Sequence, residues 1–441
     1  MDTLSVVGLG KLGSAMLASF AHKGWGVIGV DINQDFVDKI NAGQAPVYEP
    51  QVTELLQKNI DHIEATKDLR YAILNSSATF IIVPTPSLDS GRFSIEYVEK
   101  VIRDMVPAIR AKEGYHLVVI TSTVLPGDSV HLRELLETLS GKTSGVDFGF
   151  CYNPDFIALG KIVHDFLNPD MILIGQDDEN AGEILEKIHL SIVDNKPTVH
   201  RMSLYNAELA KIGLNSYCTT KITYANVIAE ICENMPTGDA SVVLNAIGAD
   251  SRVGNKYFRG GLGFSGPCFP RDNRALINVA GHMGVYHLLC DRVDEVNDYH
   301  KTSRLSNLFL DILHKKNIES IAILGISYKE ETPVIEESTS IAVAKRLAKE
   351  EIVVTMYDPQ AMPNARLEFT NTENVWFADS IEACLKDQTV CFIATPWSQF
   401  RLITADQLKQ WMKSDPLILD AWNILPDMDG IDVRRIGKNH R

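Results

Sequence analysis

The chain has 441 residues, 45% of them hydrophobic and 22% charged, with a formal net charge of −15 at pH 7. That length exceeds one ordinary core and calls for two or three domains, the acidic balance disfavours nucleic acid and anionic membranes as partners, and no apolar run approaches the roughly 20 residues of a membrane span. Seven cysteines, an odd count with no C-x-x-C pair, speak against a disulfide framework and a zinc ribbon, so no metal is expected.

The first residues enter a strand directly, with no basic segment or cleavage signal, and a cytoplasmic location is expected. Residues 3–8 predict that strand. Gly8-Leu9-Gly10-Lys11-Leu12-Gly13 then turns into a helix reaching about residue 23, and residues 26–31 predict a second strand ending on Asp31. Further strands are predicted over 78–83, 117–121, 148–152 and 171–174 with helical stretches between, so the first 200 residues read as one doubly wound parallel sheet. A long helix follows over 203–232, and helices continue through 291–310. A second α/β region opens with a strand over 318–325 and continues with strands over 352–357 and 390–396. The predicted fold class is α/β: two Rossmann-like doubly wound domains joined by a long central helix and a helical middle. The expected boundaries are 1–200, 201–310 and 311–441. The second α/β region lacks the full glycine fingerprint and is expected to hold a different nucleotide.

Strand, G-x-G-x-x-G, helix, strand and terminal acid together form the dinucleotide signature. The glycines permit a tight turn and close approach of the backbone to a pyrophosphate at the helix N-terminus. Asp31 stands 18 residues beyond Gly13, where a carboxylate accepts from ribose hydroxyls and repels a 2′-phosphate, so NAD is favoured over NADP. Val83-Pro84-Thr85-Pro86 and Thr121-Ser122-Thr123-Val124-Leu125-Pro126-Gly127 each end a parallel strand, the edge at which open sheets bind ligands. On the long helix Lys211 and Asn215 are four apart and share a face, with Glu208 three before Lys211. Tyr217 and Lys221 spell Y-x-x-x-K, which is read as coincidence.

The most chemical segment is Gly260-Gly261-Leu262-Gly263-Phe264-Ser265-Gly266-Pro267-Cys268-Phe269-Pro270-Arg271-Asp272. Glycines and prolines make buried packing of Cys268 improbable, and neighbouring Arg271 favours its thiolate. A thiol beside a nicotinamide site suits capture of an aldehyde and its second oxidation, which takes an alcohol to an acid. A basic cluster, Arg252, Lys256, Arg259, Arg271 and Arg274, overlaps this segment and points to an anionic small molecule.

In order, these segments resemble the UDP-glucose/GDP-mannose dehydrogenase family, most closely its UDP-glucose 6-dehydrogenases. The likeness runs essentially the whole length. It adds Asn153-Pro154-Asp155-Phe156, Gly325-Ile326-Ser327-Tyr328-Lys329 and Tyr357-Asp358-Pro359 to the motifs above. It implies NAD-dependent oxidation of the C6 alcohol of a nucleotide sugar to the uronic acid, UDP-glucose to UDP-glucuronate first, for polysaccharide synthesis. GDP-mannose and UDP-N-acetylhexosamines are the alternative substrates. By that resemblance Cys268 is the nucleophile, Lys211, Asn215 and Asp272 surround C6 and its water, Thr123 sits beside that water, and Asp155 does acid/base work. Gly8, Gly10, Lys11, Leu12, Gly13, Asp31, Pro84, Thr85, Ser122 and Thr123 are implied at the cofactor. Phe156, Ile157, Lys211, Asn215, Arg252, Tyr257, Arg259, Gly263 and Lys329 are implied at the substrate. A homodimer is implied too, with Arg252 reaching across. The sequence departs from the family at four places. Asp155 and Leu159 stand where glutamates are usual, residues 330–337 lack a common arginine, and Asp420-Ala421-Trp422-Asn423 replaces D-G-R-N.

Overall fold

In the computed structural model, which describes residues 3–440, the chain divides into two compact units, Met1–Gly213 and Leu214–Arg441. The division falls inside a continuous helix, Leu204–Asn234.

In the first unit, β1 (Thr3–Val7), β2 (Gly26–Val30), β3 (Ile63–Thr66), β4 (Ala78–Ile81), β5 (His116–Ile120), β6 (Phe148–Tyr152), β7 (Met171–Gln176) and β8 (Thr198–Ser203) form one sheet. Its order is β3-β2-β1-β4-β5-β6-β7-β8. The inner strands are apolar on both faces because helices cover both. Leu117 and Val119 of β5 enter one core with Phe20, Phe80 and Phe166, while Val118 and Ile120 enter another with Phe148, Phe150 and Leu132. The sheet departs from the all-parallel expectation at one place: β7 runs antiparallel to β6, with Cys151 opposite Gln176. The helix between them, Ile162–Leu167, has six residues and rises only about 9 Å. That is too short to carry the chain back along a strand of about 16 Å.

In the second unit, β9 (Ser320–Leu324), β10 (Val353–Tyr357), β11 (Val375–Phe377), β12 (Val390–Ile393), β13 (Leu417–Asp420) and β14 (Asp432–Arg435) form a parallel sheet. Its order is β11-β10-β9-β12-β13-β14, the doubly wound order that also runs from β3 to β6. Such sheets place ligands at strand carboxyl ends, where the order reverses: between β1 and β4, and between β9 and β12. The helical part of this unit comprises the remainder of the long helix, Ala240–Gly248, Phe269–His282, Leu288–Asp298, a π-helical turn Tyr299–Arg304, and Leu305–Lys316.

Candidate active site

The glycine turn after β1 is built to leave room for a ligand. Gly8 has φ +98°, and a Cβ there would lie 2.4 Å from the Ile82 carbonyl oxygen. A Cβ on Gly13 would lie 1.8 Å from the Gly8 oxygen, whereas one on Gly10 would meet nothing within 4 Å. The turn is therefore packed against the sheet at Gly8 and Gly13 and open at Gly10, the N-cap of the helix Lys11–His22. That arrangement fits a pyrophosphate against unpaired helix N–H groups. Asp31 is already aimed at the turn: its Oδ2 accepts from Leu9 N at 2.7 Å and its Oδ1 from Asn33 N at 2.8 Å. Each oxygen keeps a lone pair for a ribose hydroxyl. Lys11 faces the buried carboxylate of Glu49 at 4.0 Å, and Leu12 packs on the core beneath.

The structure ties the segments after β4 and β5 together. Ser122 Oγ accepts from Val83 N at 2.9 Å and donates to Val83 O at 2.7 Å, and Thr85 Oγ1 donates to Thr123 O at 2.9 Å. Thr85 and Ser122 are buried, Pro84 is exposed and Thr123 is half-buried. Thr85 and Ser122 thus hold backbone, and the Thr123 hydroxyl makes no hydrogen bond among the described residues. Glu208, fully buried on the long helix, holds the next stretch: its two oxygens accept from Gly127 N and Ser129 N, each at 2.7 Å. Burial pushes Glu208 up to about 7, against those hydrogen bonds, which pull it down. The sequence showed Glu208 only as a neighbour of Lys211. Its partners are backbone atoms some eighty residues away.

Lys211 is buried; its Nζ donates to the Asp155 carbonyl oxygen at 2.5 Å and lies 4.5 Å from the Phe156 ring centroid. The ammonium is thereby fixed over the Asn153-Pro154-Asp155-Phe156 segment. Desolvation pushes the Asp155 carboxyl up to about 7, with Lys211 opposing. A carboxyl so placed exchanges protons near neutral pH, as an acid/base group must. Asn153 holds the segment from below, donating to Leu173 O at 2.9 Å and accepting from His189 Nε2 at 2.7 Å. Burial keeps His189 neutral, down to about 4, so the ring serves as a fixed partner. Ile157 and Leu159 pack on the core.

In the second unit Cys268 is the N-cap of the fourteen-residue helix Phe269–His282, with its thiol exposed. Helix N-terminal N–H groups and dipole favour a negative sulfur there. Asp272, one turn on and 3% exposed, accepts from Asn215 Nδ2 at 2.6 Å, and Arg271 Nε lies 3.9 Å from its other oxygen. The loop leading to Cys268 is held by two buried asparagines that sequence reading did not select. Asn226 accepts from Gly261 N at 2.9 Å and donates to Leu262 O at 3.1 Å. Asn297 accepts from Phe264 N at 2.7 Å and donates to Phe264 O at 3.1 Å. Gly263 is required by this clamp, because a Cβ would stand 2.6 Å from Asn297 Oδ1. Gly266, at φ +83°, is required too, since a Cβ would stand 2.6 Å from the Tyr328 ring.

The remaining sequence candidates are scattered over the second unit. Tyr257 adopts φ +58° and sets its ring edge-on to Phe269 at 5.6 Å. Lys329 lies 5.8 Å over the Tyr328 ring. Arg259 donates to Trp422 O and lies 5.8 Å from the indole. The basic cluster is partly consumed internally: Arg252 pairs with Asp250 at 2.7 Å, and Arg274 with Asp294 at 3.2 Å and Glu337 at 2.9 Å. Asp358, of the Tyr357-Asp358-Pro359 motif, is a buried backbone anchor, with Oδ2 accepting from Ile326 N at 2.7 Å and from Trp397 Nε1 at 3.1 Å. Among the described residues no His, Cys, Asp or Glu cluster is placed to hold a metal.

A glycine-turn dinucleotide fold joined to a loop-borne thiol defines the class of nicotinamide-dependent dehydrogenases. The chain belongs to the UDP-glucose/GDP-mannose dehydrogenase family: its NAD binding domain matches residues 2–193, its central domain 205–299, and its UDP binding domain 322–427. The chain is 33% identical over 440 residues to UDP-glucose 6-dehydrogenase AglM of Haloferax volcanii, covering 98% of this chain and 99% of that one. It is 32% identical over 377 residues to GDP-mannose 6-dehydrogenase of Pseudomonas aeruginosa, covering 84% of each. Among solved structures, the UDP-glucose dehydrogenase of the archaeon Pyrobaculum islandicum superposes with a TM-score of 0.85 at 29% identity, covering 99% of this chain and 97% of that one. The chain is thus an NAD-dependent nucleotide-sugar dehydrogenase. Among the described residues no helix is long and apolar enough to cross a membrane.

Proposed function

We propose that the substrate is UDP-glucose and the product UDP-glucuronate, formed by two successive oxidations at C6. The observation that carries the reading is an exposed thiol, Cys268, capping a helix whose first turn bears the buried Asp272, which accepts from Asn215 of the long helix. The UDP-glucose 6-dehydrogenases among the relatives support the sugar and the base. GDP-mannose 6-dehydrogenases at nearly the same identity make GDP-mannose the second reading.

Gly8, Gly10, Lys11, Leu12, Gly13 and Asp31 hold NAD, with Pro84, Thr85, Ser122 and Thr123 toward its nicotinamide. When bound there, NAD+ would supply the hydride acceptor for C6, one NAD+ for each of the two oxidations. In the first, the alcohol loses its hydroxyl proton and becomes an aldehyde. The Cys268 thiolate then adds to the carbonyl carbon, forming a C–S bond and a tetrahedral oxyanion that the Lys211 ammonium and the Asn215 amide stabilise. Loss of the second hydride converts this thiohemiacetal to a thioester. Water, positioned by Thr123 and deprotonated by Asp155 or Asp272, adds to the thioester carbon; the C–S bond breaks and the thiolate is restored. Phe156, Ile157, Arg252, Tyr257, Arg259, Gly263 and Lys329 contact the nucleotide sugar.

A homodimer in the cytoplasm completes the proposal. Its support is an exposed apolar stripe on the long helix, Tyr217, Tyr224 and Ile231 at 60%, 52% and 55% exposure, spaced by sevens as a helix–helix seam requires. The activity test is stoichiometric. The purified chain should yield two NADH per UDP-glucose consumed, and one NADH with free aldehyde accumulating overturns the covalent route.

A further inference from the structure

The loop that delivers Cys268 is clamped on one side by Asn226 and Asn297, and on the other by a turn of the second α/β region. Gly266, two residues before the thiol, donates its N–H to Glu336 O at 3.0 Å and has no room for a Cβ beside the Tyr328 ring. Arg274, six residues after the thiol on the helix Phe269–His282, donates from Nη1 to Glu337 Oε1 at 2.9 Å. Cys268 therefore stands between two ties to the same turn, residues 328–338. The turn is itself closed at both ends. Tyr328 N donates to Val334 O at 3.0 Å, and Ser338 Oγ donates to Ile326 O, just beyond β9, at 2.7 Å. Lys329, which the proposed function sets at the nucleotide sugar, follows Tyr328 directly.

Three features single out Glu337. Its Oε2 accepts from Lys301, a buried ammonium in the π-helical turn Tyr299–Arg304, so one carboxylate holds cations from two helical elements. Burial raises its pKa, but the Lys301 and Arg274 charges outweigh burial and hold the carboxyl below its ordinary range. It therefore stays ionised at neutral pH. Its backbone is left-handed, at φ +57°, a conformation rare for a residue with a Cβ and kept only where the surroundings over-determine it. A pair that served the helix surface alone would need no such backbone, as the neighbouring Arg274–Asp294 contact at 3.2 Å shows.

We infer that Glu337 is a positioning residue for the Cys268 thiol: it fastens the thiol's helix to the turn that carries Lys329, so that nucleotide binding at the turn and reactivity of the thiol are coupled. The inference rests on the nucleotide-sugar reading above and adds to it a residue that acts through the thiol rather than on the substrate. A shift of the turn reaches Cys268 through the Gly266 backbone on one side and the Arg274 side chain on the other. A displacement of about 1 Å at a reacting atom is worth on the order of a hundredfold in rate.

The test compares iodoacetamide labelling rates of Cys268, read by peptide mass spectrometry, with and without saturating UDP or GDP, in the wild type, Glu337→Gln and Arg274→Met. Neither diphosphate carries a hexose, so neither covers the thiol directly. The wild-type rate should change about fivefold or more on adding the diphosphate that binds, the low end of coupling between sites. In both variants the rate should no longer respond and kcat should fall about tenfold to a hundredfold, while calorimetry gives a diphosphate dissociation constant near the wild-type value. Arg274→Met keeps the aliphatic stem and the Glu337–Lys301 pair, so it reports even if Glu337→Gln, which strands the Lys301 ammonium, does not fold. An unchanged response or an undiminished kcat in Arg274→Met or in folded Glu337→Gln overturns the inference. So does a wild type that binds diphosphate with no change in labelling. If that wild type still forms two NADH per UDP-glucose, the nucleotide-sugar reading stands and only the role of Glu337 falls. A wild type that binds neither diphosphate and oxidises no nucleotide sugar overturns both.

Discussion

Selective alkylation isolates the thiol on which the chemistry depends. Of the seven cysteines, Cys268 alone is exposed, Cys290 is half-buried, and Cys151, Cys218, Cys232, Cys384 and Cys391 are buried. Burial also raises the pKa values of the others. Cys384 is pushed up to about 12, Cys151 and Cys391 lie well above the ordinary value, and Cys218, Cys232 and Cys290 are raised. Iodoacetamide reacts with thiolate. At pH 8 the Cys384 thiol, at about 12, is ionised to about one part in ten thousand, and restricted access lowers the reactivity of the buried cysteines further. Limited iodoacetamide at pH 8 should place one label per chain, on the peptide containing Cys268, with acid production lost in proportion. Peptide mass spectrometry and NADH yield read the two quantities on the same sample. Full Cys268 labelling with undiminished acid production, or earlier labelling of a buried cysteine, would refute the reasoning.

Three further outcomes follow from the geometry. Asn297→Ala strands the buried N–H and C=O of Phe264, a loss of about 2–4 kcal/mol. A melting temperature roughly 4–16 °C lower, with a changed Cys268 alkylation rate, is expected; Asn297→Asp, which restores the acceptor for Phe264 N, should recover part of both. Asp155 binds its proton more tightly folded than unfolded, titrating at about 7 rather than 3.8. Its stability contribution is therefore present below about pH 4 and lost as pH rises through about 7. Activity should rise over the upper part of that range as the carboxylate forms, and Asp155→Asn should abolish that limb of the profile of kcat against pH. Glu208→Gln keeps one acceptor for two N–H donors, so either Gly127 or Ser129 loses its partner. A fall in kcat larger than any rise in KM for NAD would show that the loop following Thr123 needs this anchor. Unchanged kcat with a lower melting temperature would show that Glu208 serves the fold alone.

The first βαβ unit was legible because its information is local: glycines at fixed spacing, an apolar strand on each side, and an acid closing β2. The strands that escape sequence reading are β3, β8, β11, β13 and β14. β13 is buried throughout but only four residues long. β3, β8 and β14 lie at sheet edges, and β8 has only exposed and half-buried residues, without an apolar run. β11 has three residues. The reversal at β7 was hidden for another reason: strand direction depends on how far the preceding helix carries the chain, which apolar spacing does not record. Within the site, the residue types that do chemistry were readable, whereas those that hold them in place were not. Lys211 is held by a carbonyl, Glu208 by two backbone N–H groups, and Asn226 and Asn297 by glycine-loop backbone more than thirty residues away. Backbone partners leave no mark in the sequence, and a buried asparagine inside a helix looks like a solvated one.

The same distinction explains the departures from the family pattern. Asp155 is one methylene shorter than the usual glutamate, yet its segment is fixed at two backbone points, by Lys211 on the Asp155 carbonyl and by Asn153 on β7. Loss of reach in the side chain therefore does not loosen the segment. Leu159, in place of a second glutamate, packs on the core. The pH profile should accordingly show an ascending titration near 7 from Asp155, and its persistence in Asp155→Asn would contradict that assignment.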